Sequence, residues 1–252
     1  MNHNNICITI LAGGLGKRMQ SELPKVLHEV NGIPMIVRLL SEIECLNPSK
    51  IILVVGKFKD IIDKTIKQYI DFDKVNILYA MQDVPMGTGH AVLCTLDMLN
   101  DNDINLILNG DNPMLSLSVM KEALDNFIQN NNNLQITAIE ANNPTGSGRI
   151  ILNNNVFEKI VEEKDCSSEQ KNIKMINCGI YVANSNTLKK YIPEIKNNNM
   201  QNEYYLTDIV EICKSNNSSV GLYVIDQSKE FETININTKE QLEILNAILS
   251  KK

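Results

Sequence analysis

Short apolar runs alternate along the chain with longer segments in which apolar residues recur every three or four positions. The runs predict strands, and the spaced segments predict helices. In the first half the predicted strands cover 6–11, 51–55, 75–80 and 104–108. The predicted helices between them begin near Pro34, Asp60 and His90 (His90 to Leu99 for the third), with Pro34 in a first helical turn and Asp60 as a cap. Strands that alternate with helices at this spacing predict βαβ units and a largely parallel sheet.

The second half has a more mixed pattern. Predicted strands cover 134–140, 149–152, 156–162, 175–183, 220–225 and 231–236, and predicted helices cover 119–128, 205–214 and 238–249. The strands at 149–152 and 156–162 flank three asparagines, which predicts a hairpin. The last helix begins at Thr238, three residues before Gln241, and this is the spacing of a capping box.

A glycine-rich segment follows the first predicted strand. It runs Leu11-Ala12-Gly13-Gly14-Leu15-Gly16-Lys17-Arg18-Met19 and is followed by Pro24-Lys25. Glycines let backbone N–H groups close on phosphate oxygens, and Arg18 and Lys25 add two cations to the same neighbourhood. This combination suits a polyphosphate. The alternative is that the glycines only satisfy the geometry of a strand–turn connection.

Two other phosphate-binding loops do not match this segment. Gly16-Lys17 is followed by Arg18, so the hydroxyl that a Walker A loop offers to Mg²⁺ is missing. The dinucleotide fingerprint needs a third glycine and an acidic residue after the second strand, where this chain has Gly56-Lys57. A nicotinamide dehydrogenase is therefore disfavoured.

The segment resembles the signature loop of the sugar-1-phosphate nucleotidyltransferases. From Leu11 to His28 it is similar to the uridylyltransferase domain of the N-acetylglucosamine-1-phosphate uridyltransferases. The resemblance implies an α/β protein with a Rossmann-like three-layer α/β/α fold and a mixed, mostly parallel central sheet. It also implies Mg²⁺-dependent attack of N-acetylglucosamine-1-phosphate on the α-phosphate of UTP, which gives UDP-N-acetylglucosamine and pyrophosphate. The residues that it assigns to the nucleotide in this segment are Leu11, Ala12, Gly13, Gly14 and Lys25, with Arg18 and Lys25 in catalysis.

Composition narrows the class of protein further. The 252 residues are enough for one large α/β domain, and we expect a single domain over 1–252, with a nucleotide-binding lobe at 1–111 and a sugar-binding lobe at 112–252. A net charge of −6 argues against binding to nucleic acid. We find no signal peptide and no apolar run of the ~20 residues that span a bilayer, so we expect a cytoplasmic protein without a membrane partner. The sequence does not predict an oligomeric state.

A second loop resembles the family's base-reading loop. It contains Gln82, Gly87 and Thr88, followed by Gly89-His90-Ala91. An amide side chain can pair with the donor and acceptor edge of uracil, although an ordinary loop with a solvated glutamine is the alternative. His90 is not needed as a general base, because a sugar phosphate has its second pKa near 6 and is already an anion. We expect His90 to make a structural hydrogen bond at the start of a helix.

The segment Asn109-Gly110-Asp111 closes the fourth predicted strand. Asp111 could cap a turn or hold a cation. The family resemblance favours the cation, with Asp111 and Asn237 as ligands of Mg²⁺ and with Asn109 and Gly110 beside the nucleotide. For Asn237 the alternative is a turn residue at the end of a strand.

The sugar site rests on the resemblance more heavily. Four segments match the family in order, and the residues that would bind the sugar are Gly148, Glu162, Asn177, Tyr205 and Thr207. For Glu162 the alternative is a solvated carboxylate, the commonest fate of glutamate.

Two positions depart from the family pattern. Lys17 replaces the usual Thr, and it either touches a phosphate or faces water; Ser147 replaces the usual Tyr, which keeps a glucose-1-phosphate enzyme open as an alternative. A catalytically silent nucleotide-sugar-binding protein is a second alternative, although a binder need not keep Arg18, Lys25 and Asp111 together. The acetyltransferase half of the family's bifunctional members, a β-helix of hexapeptide repeats, has no counterpart in the sequence. We therefore expect no acetyl transfer from this chain.

Overall fold

A computed structural model describes residues 5–14, 16–72 and 74–251. Within that part of the chain the strands are β1 (Ile6–Leu11), β2 (Glu29–Val30), β3 (Ile33–Pro34), β4 (Lys50–Val55), β5 (Ile77–Met81), β6 (Ile104–Asn109), β7 (Leu134–Glu140), β8 (Arg149–Asn153), β9 (Val156–Val161), β10 (Met175–Asn184) and β11 (Val220–Val224). The α-helices are α1 (Met35–Glu44), α2 (Lys59–Ile66), α3 (Thr88–Leu93), α4 (Leu117–Gln129), α5 (Ser185–Tyr191), α6 (Ile209–Ser215) and α7 (Lys239–Leu249). Short 3₁₀ helices at Lys17–Met19, Lys25–Leu27, Leu96–Met98, Gln170–Asn172, Ile192–Glu194, Leu206–Asp208 and Gln227–Thr233 join them.

Nine of the described strands form one sheet in the order β11-β7-β10-β6-β1-β4-β5, with β8 paired to β10 and β9 to β8. The pairs of β1 with β4 and β6, of β4 with β5 and of β7 with β11 are parallel. Strand β10 runs antiparallel to both of its neighbours in the row, β6 and β7. The expected mixed, mostly parallel sheet is confirmed.

The sheet is covered on both faces. Ile6, Ile8 and Ile10 of β1 pack into a core shared with α1, α2 and α4, whereas Cys7 packs into a second core shared with α3, α5 and α6. Successive side chains of a strand point to opposite faces, so a run that is apolar throughout is buried on both sides. The three-layer α/β/α architecture follows from these two cores.

A third, smaller core holds the last helix against the beginning of the chain. Leu245 of α7 and Ile236 pack with Met19, Val30 and Met35. The capping box at the start of α7 is confirmed, because the Thr238 side chain accepts from the backbone N–H of Gln241 and the Gln241 side chain accepts from that of Thr238. These contacts bring the C-terminal segment next to the residues that follow the glycine loop.

Most predicted strands are confirmed within one or two residues, and the hairpin β8–β9 is confirmed. The strand predicted at 231–236 is wrong, because Gln227–Thr233 forms a 3₁₀ helix that begins with an Asp226 cap. In addition, the backbone N–H of Ile236 donates to Asp111 O at 2.9 Å, so this stretch crosses the edge of the sheet and does not join it.

Several helix boundaries also differ from the prediction. The helix predicted at 90–99 is α3, which ends at Leu93; the Thr95 hydroxyl donates to Val92 O at 2.7 Å there and competes with the helical pattern. The helix predicted at 205–214 begins as a 3₁₀ turn and becomes α-helical only at Ile209. Pro34 is the N-cap of α1, and Asp60 lies inside α2, whose N-cap is Phe58.

Helix α5 and the strands β2 and β3 were not predicted. Helix α5 follows β10 directly, and β2 and β3 pair across a turn at Asn31 and Gly32, both of which have positive φ. Across the described ranges, we find no helix that combines the length and the apolar character needed to cross a bilayer.

Candidate active site

Loops that follow four neighbouring parallel strands meet at one edge of the sheet. Backbone hydrogen bonds tie the loops after β1, β5 and β6 to the end of a neighbouring strand in the sheet. Ala12 N donates to Val54 O at 2.9 Å, Gln82 N to Val55 O at 2.7 Å and Gly110 N to Leu11 O at 3.0 Å. This is the carboxyl edge of the strands, where ligands bind in open α/β sheets. The glycine loop, Gln82 and Asp111 are thereby brought together.

Two adjoining cavities open at this edge. One, of 510 Å³, is lined by the glycine loop and by the Gln82–Thr88 loop, and the other, of 470 Å³, is lined by residues of the second half of the chain. Seven of the described residues line both cavities: Leu11, Arg18, Thr88, Asn109, Asp111, Glu203 and Asn237. The shared residues place one cluster of charged and amide side chains at the junction of the cavities.

That cluster is held by direct side-chain contacts. Lys25 Nζ forms an ion pair with Asp111 Oδ2 and donates to Asn237 Oδ1 at 2.8 Å, and Arg18 Nη2 donates to the same Asn237 oxygen at 3.1 Å. Lys25 and Asp111 are largely buried, with 12% and 16% of their side chains exposed. These four residues come from three distant parts of the chain, and the fold brings them within hydrogen-bonding distance.

Asn237 owes its position to the start of α7. Its backbone N–H donates to Gln241 Oε1 at 2.6 Å, so the capping-box glutamine fixes the residue before the cap as well as the cap itself. The preceding residue, Ile236, donates its backbone N–H to Asp111 O at 2.9 Å. The capping box was predicted from the sequence, but the hydrogen bond between Asn237 and Gln241 was not.

The donor set at Asp111 and Asn237 fits Mg²⁺. Asp111 Oδ1 is buried and accepts no hydrogen bond from any described residue, while Oδ2 is paired with Lys25. A buried carboxylate oxygen without a partner is costly unless a cation or donor satisfies it. Mg²⁺ takes one or two protein oxygens together with substrate phosphates and water, and a carboxylate and an amide oxygen lie here side by side.

The glycine loop is shaped around Lys25. Gly16 has φ +58°, and a Cβ at this position would lie 2.8 Å from the Cβ of Lys25. A side chain at residue 16 would therefore displace the lysine. Gly13 and Gly14 line the larger cavity, whereas Ala12 is buried behind it. The structure describes neither Leu15 nor the side chain of Lys17. The prediction that Lys17 touches a phosphate or faces water therefore falls outside the described part of the chain.

The Gln82–Gly89 loop is clamped against Tyr204. Gly89 N donates to Tyr204 O at 2.7 Å, Tyr204 N donates to Met86 O at 2.8 Å, and a Cβ on Gly87, which has φ +112°, would lie 2.5 Å from Tyr204 O. The Thr88 hydroxyl accepts from the backbone N–H of Leu206 at 3.0 Å. The role of Tyr204 was not predicted, because its hydrogen bonds to the loop are made by backbone atoms and do not depend on its residue type.

The predicted sugar residues surround the smaller cavity. Gly148, Glu162, Asn177 and Tyr205 line it, whereas Thr207 does not line it and is linked to it only through Glu162, whose Oε1 accepts from the Thr207 hydroxyl at 3.2 Å. Burial raises the pKa of Glu162, the Thr207 hydrogen bond opposes this, and the charges of Asp208, Asp165 and Glu203 raise it further.

The side chain of Asn177 is oriented by its own strand. Its Nδ2 donates to Tyr181 OH at 2.6 Å, and its Oδ1 accepts from Gly179 N at 3.0 Å. Gly179 has φ +73° and produces an irregularity in the pairing of β10 with β7. The irregularity lies between Asn177, which lines the cavity, and Tyr181.

A buried arginine supports the loop before β8. Arg149 is 1% exposed, its Nη2 lies 2.6 Å from Glu163 Oε2, and its Nη1 donates to Ser147 O. Gly146 N donates to the same Glu163 oxygen at 3.1 Å. Because Gly146, Ser147 and Gly148 line the smaller cavity, this ion pair shapes its wall. Neither Arg149 nor Glu163 was assigned a role from the sequence.

Comparison with known proteins defines the class. The model of the family described as nucleotidyl transferase matches residues 8–229. The chain belongs to the nucleotidyl transferase family, a family of enzymes. Its fold agrees with this assignment, since the chain superimposes on a UDP-glucose pyrophosphorylase complexed with UDP-glucose with a TM-score of 0.76 at 18% identity, over 98% of this chain and 99% of that one.

Two curated relatives are similar over nearly the whole chain. A protein of Acanthamoeba polyphaga mimivirus named probable UDP-N-acetylglucosamine pyrophosphorylase is 51% identical over 248 residues, which are 97% of this chain and 96% of the relative. The bifunctional protein GlmU of Thermoanaerobacter pseudethanolicus is 38% identical over 245 residues, which are 96% of this chain and 51% of the relative. The chain thus spans about half the length of the bifunctional relative.

Proposed function

We propose that this nucleotidyltransferase transfers UMP from UTP to N-acetylglucosamine-1-phosphate in a Mg²⁺-dependent reaction. The observation that carries the proposal is the junction of the two cavities, where Arg18, Lys25, Asp111 and Asn237 meet. A nucleotide in the larger cavity and a sugar phosphate in the smaller one would bring their phosphates to this junction. The printed name of the mimiviral relative, which is similar over nearly its full length, supports the same pair of substrates.

In the proposed reaction a phosphate oxygen of the sugar phosphate attacks the α-phosphorus of UTP. The new P–O bond forms as the bond to the β-phosphate breaks, and pyrophosphate leaves with the electron pair of that bond. The nucleophile is already anionic near neutral pH, so no general base is required. The residues therefore act by positioning and by stabilising charge.

Arg18, Lys25, Asp111 and Asn237 each have a role in this proposal. Arg18 and Lys25 stabilise the negative charge that builds on the phosphates. Asp111 and Asn237 would hold Mg²⁺, which neutralises phosphate charge when bound. Because Lys25 is in contact with both Asp111 and Asn237, its position is coupled to the proposed metal site.

The remaining residues would bind the two substrates. On the nucleotide side, the amides of the glycine loop would contact the triphosphate, and Gln82 with Gly87 would contact the base. On the sugar side, Glu162 and Asn177 would accept from and donate to hydroxyls, while Gly148, Tyr205 and Thr207 frame the sugar. We also propose that residues 1–252 act as one domain whose two lobes divide near residue 111.

A pyrophosphate-release assay over a grid of nucleoside triphosphates and sugar-1-phosphates tests the function. UTP with N-acetylglucosamine-1-phosphate is expected to have the highest kcat/KM in the grid. A higher value for glucose-1-phosphate, or for another nucleotide, would overturn the substrate assignment. Silence with every pair would favour a nucleotide-sugar-binding protein over an enzyme.

A further inference from the structure

The side-chain amide of Gln82 has only one orientation that its surroundings allow. Gln82 Nε2 lies 3.0 Å from Gly87 O, and a carbonyl oxygen can only accept a hydrogen bond. The donor end of the amide must therefore face Gly87. The side chain is 6% exposed, so water does not offer an easy alternative.

The same amide nitrogen fixes the tautomer of His90. Gln82 Nε2 lies 3.0 Å from His90 Nδ1, and since the amide nitrogen is a donor, this ring nitrogen must accept. The ring proton of His90 then lies on Nε2. Its ring lies beside that of Tyr204, with the centroids 6.4 Å apart. The expected structural hydrogen bond of His90 is confirmed, and its partner is the glutamine proposed to contact the base.

The oxygen of the amide is consequently turned the other way. A Cβ on Gly13 would lie 3.3 Å from Gln82 Oε1, so this oxygen lies next to the glycine loop at the wall of the larger cavity. Among the described residues none donates a hydrogen bond to it. The site therefore offers a base an oriented acceptor.

We propose that His90 is a positioning residue for base selection, which holds the Gln82 amide so that its oxygen faces the base edge. The inference rests on the proposed function, because it concerns the nucleotide that occupies the larger cavity. Uracil carries an N3–H donor that matches this oxygen, whereas N3 of cytosine is an acceptor and opposes it. If the amide turned over, it would present a donor, and the preference between the two pyrimidines would weaken or reverse.

Three variants separate this role from a structural one. His90→Leu removes the acceptor and keeps an apolar side chain on α3, and His90→Asn keeps an oxygen acceptor near the place of Nδ1. Leu93→Ala, at an exposed position on the same helix, is the matched control. Loss of one neutral hydrogen bond is expected to lower the UTP-to-CTP ratio of kcat/KM about tenfold in His90→Leu. His90→Asn should recover most of the ratio, and Leu93→Ala should leave it unchanged.

A spectroscopic measurement reads the hydrogen bond directly. The chain has three histidines, so a spectrum of protein with ¹⁵N-labelled histidine is simple, and His90→Leu identifies the His90 signal. At about pH 8, above the ordinary titration range of histidine, His90 should carry its proton on Nε2, with Nδ1 unprotonated and hydrogen-bonded. A proton on Nδ1 would overturn the proposal.

The outcomes distinguish this inference from the function itself. If the wild type prefers UTP to CTP and His90→Leu keeps the full ratio, the role of His90 is wrong and the proposed function stands. If the wild type prefers dTTP, the UTP assignment is wrong; thymine has the same N3–H donor, and the ratio of dTTP to dCTP then tests His90. A preference for a purine nucleotide would overturn both.

Discussion

The ammonium group of Lys25 lies 2.8 Å from the amide oxygen of Asn237, 212 residues further along the chain. The same ammonium group forms an ion pair with Asp111, so one cation links the end of β6, the glycine-loop segment and the start of α7. A residue placed in this way aligns three separate segments, and in the proposed function it also stabilises charge at the site.

Lys25→Ala is therefore expected to lower kcat by about 10²-fold or more, because a preorganised charge partner of the transition state is lost. Steady-state kinetics with both substrates varied would measure it. Lys121→Ala, which removes an exposed lysine on α4, is the control and should leave kcat unchanged. A change confined to KM would mean that Lys25 stabilises only the ground state.

Asn237 provides a prediction about the metal. One carboxylate and one neutral amide oxygen form a weak site, so Mg²⁺ should arrive largely together with UTP. Asn237→Ala should raise the Mg²⁺ concentration that gives half the maximal rate, and Asn237→Asp should tighten Mg²⁺ binding in the absence of nucleotide. Metal titrations with and without UTP would measure both effects.

The control for these titrations is Lys239→Ala, an exposed position in the first turn of α7, the helix that begins just after Asn237. It should keep the Mg²⁺ requirement of the wild type. If Asn237→Ala also keeps that requirement, Asn237 is only a turn residue and the metal site lies elsewhere.

The buried Arg149 provides a prediction about the smaller cavity. Arg149→Met should destabilise the protein by about 3 kcal/mol, because Glu163 and the Ser147 carbonyl lose their partner. It should also raise KM for the sugar phosphate more than KM for UTP, since Gly146 to Gly148 line only the smaller cavity. Chemical denaturation and kinetics with each substrate in turn would measure the two effects. Glu163→Gln keeps an acceptor for Gly146 and should have the smaller effect on both; equal rises in the two KM values would contradict a local role.

Asp208 provides a prediction about pH. Burial, with smaller contributions from Glu211 and Asp165, raises the pKa of Asp208 from 3.8 to about 6. Between these values the folded protein binds more protons than the unfolded chain, so this carboxyl makes the free energy of unfolding fall as pH rises through that window. Asp208→Asn removes the ionised form and should be more stable than the wild type near pH 7, by roughly 1 kcal/mol because partial exposure screens the effect. Urea unfolding between about pH 4 and pH 8 would test this; parallel profiles for the two proteins would contradict it.

Much of the fold could be predicted because its signals are local. The strand Leu134–Glu140 was predicted with the bounds that the structure has, because apolar residues recur at every second position from Leu134 through Ile136 to Ala138. The glycine loop and the capping box were equally visible, because each depends on residue types at fixed spacing.

The remaining features depend on contacts between distant segments. The residues 231–236 have an alternating pattern that suits a strand, but β7 already pairs with β10 on one side and β11 on the other. The segment instead bonds through Ile236 to the backbone of Asp111. The tautomer of His90 and the contacts of Tyr204 could not be predicted for the same reason. Both depend on the direction of backbone carbonyl groups, which residue types do not indicate.

Gln241 fixes the position of Asn237, and this contact bears on when the cluster around Lys25 can form during synthesis of the chain. A ribosome that has already produced the glycine loop, Gln82 and Asp111 still has to add more than a hundred residues before the amide that binds Lys25 exists. Only when the first turn of α7 emerges and folds can Gln241 hold that amide in place. In terms of the proposed function, the nascent chain carries most of the proposed phosphate-binding groups before the cluster at Lys25 is complete, and activity requires α7 to fold.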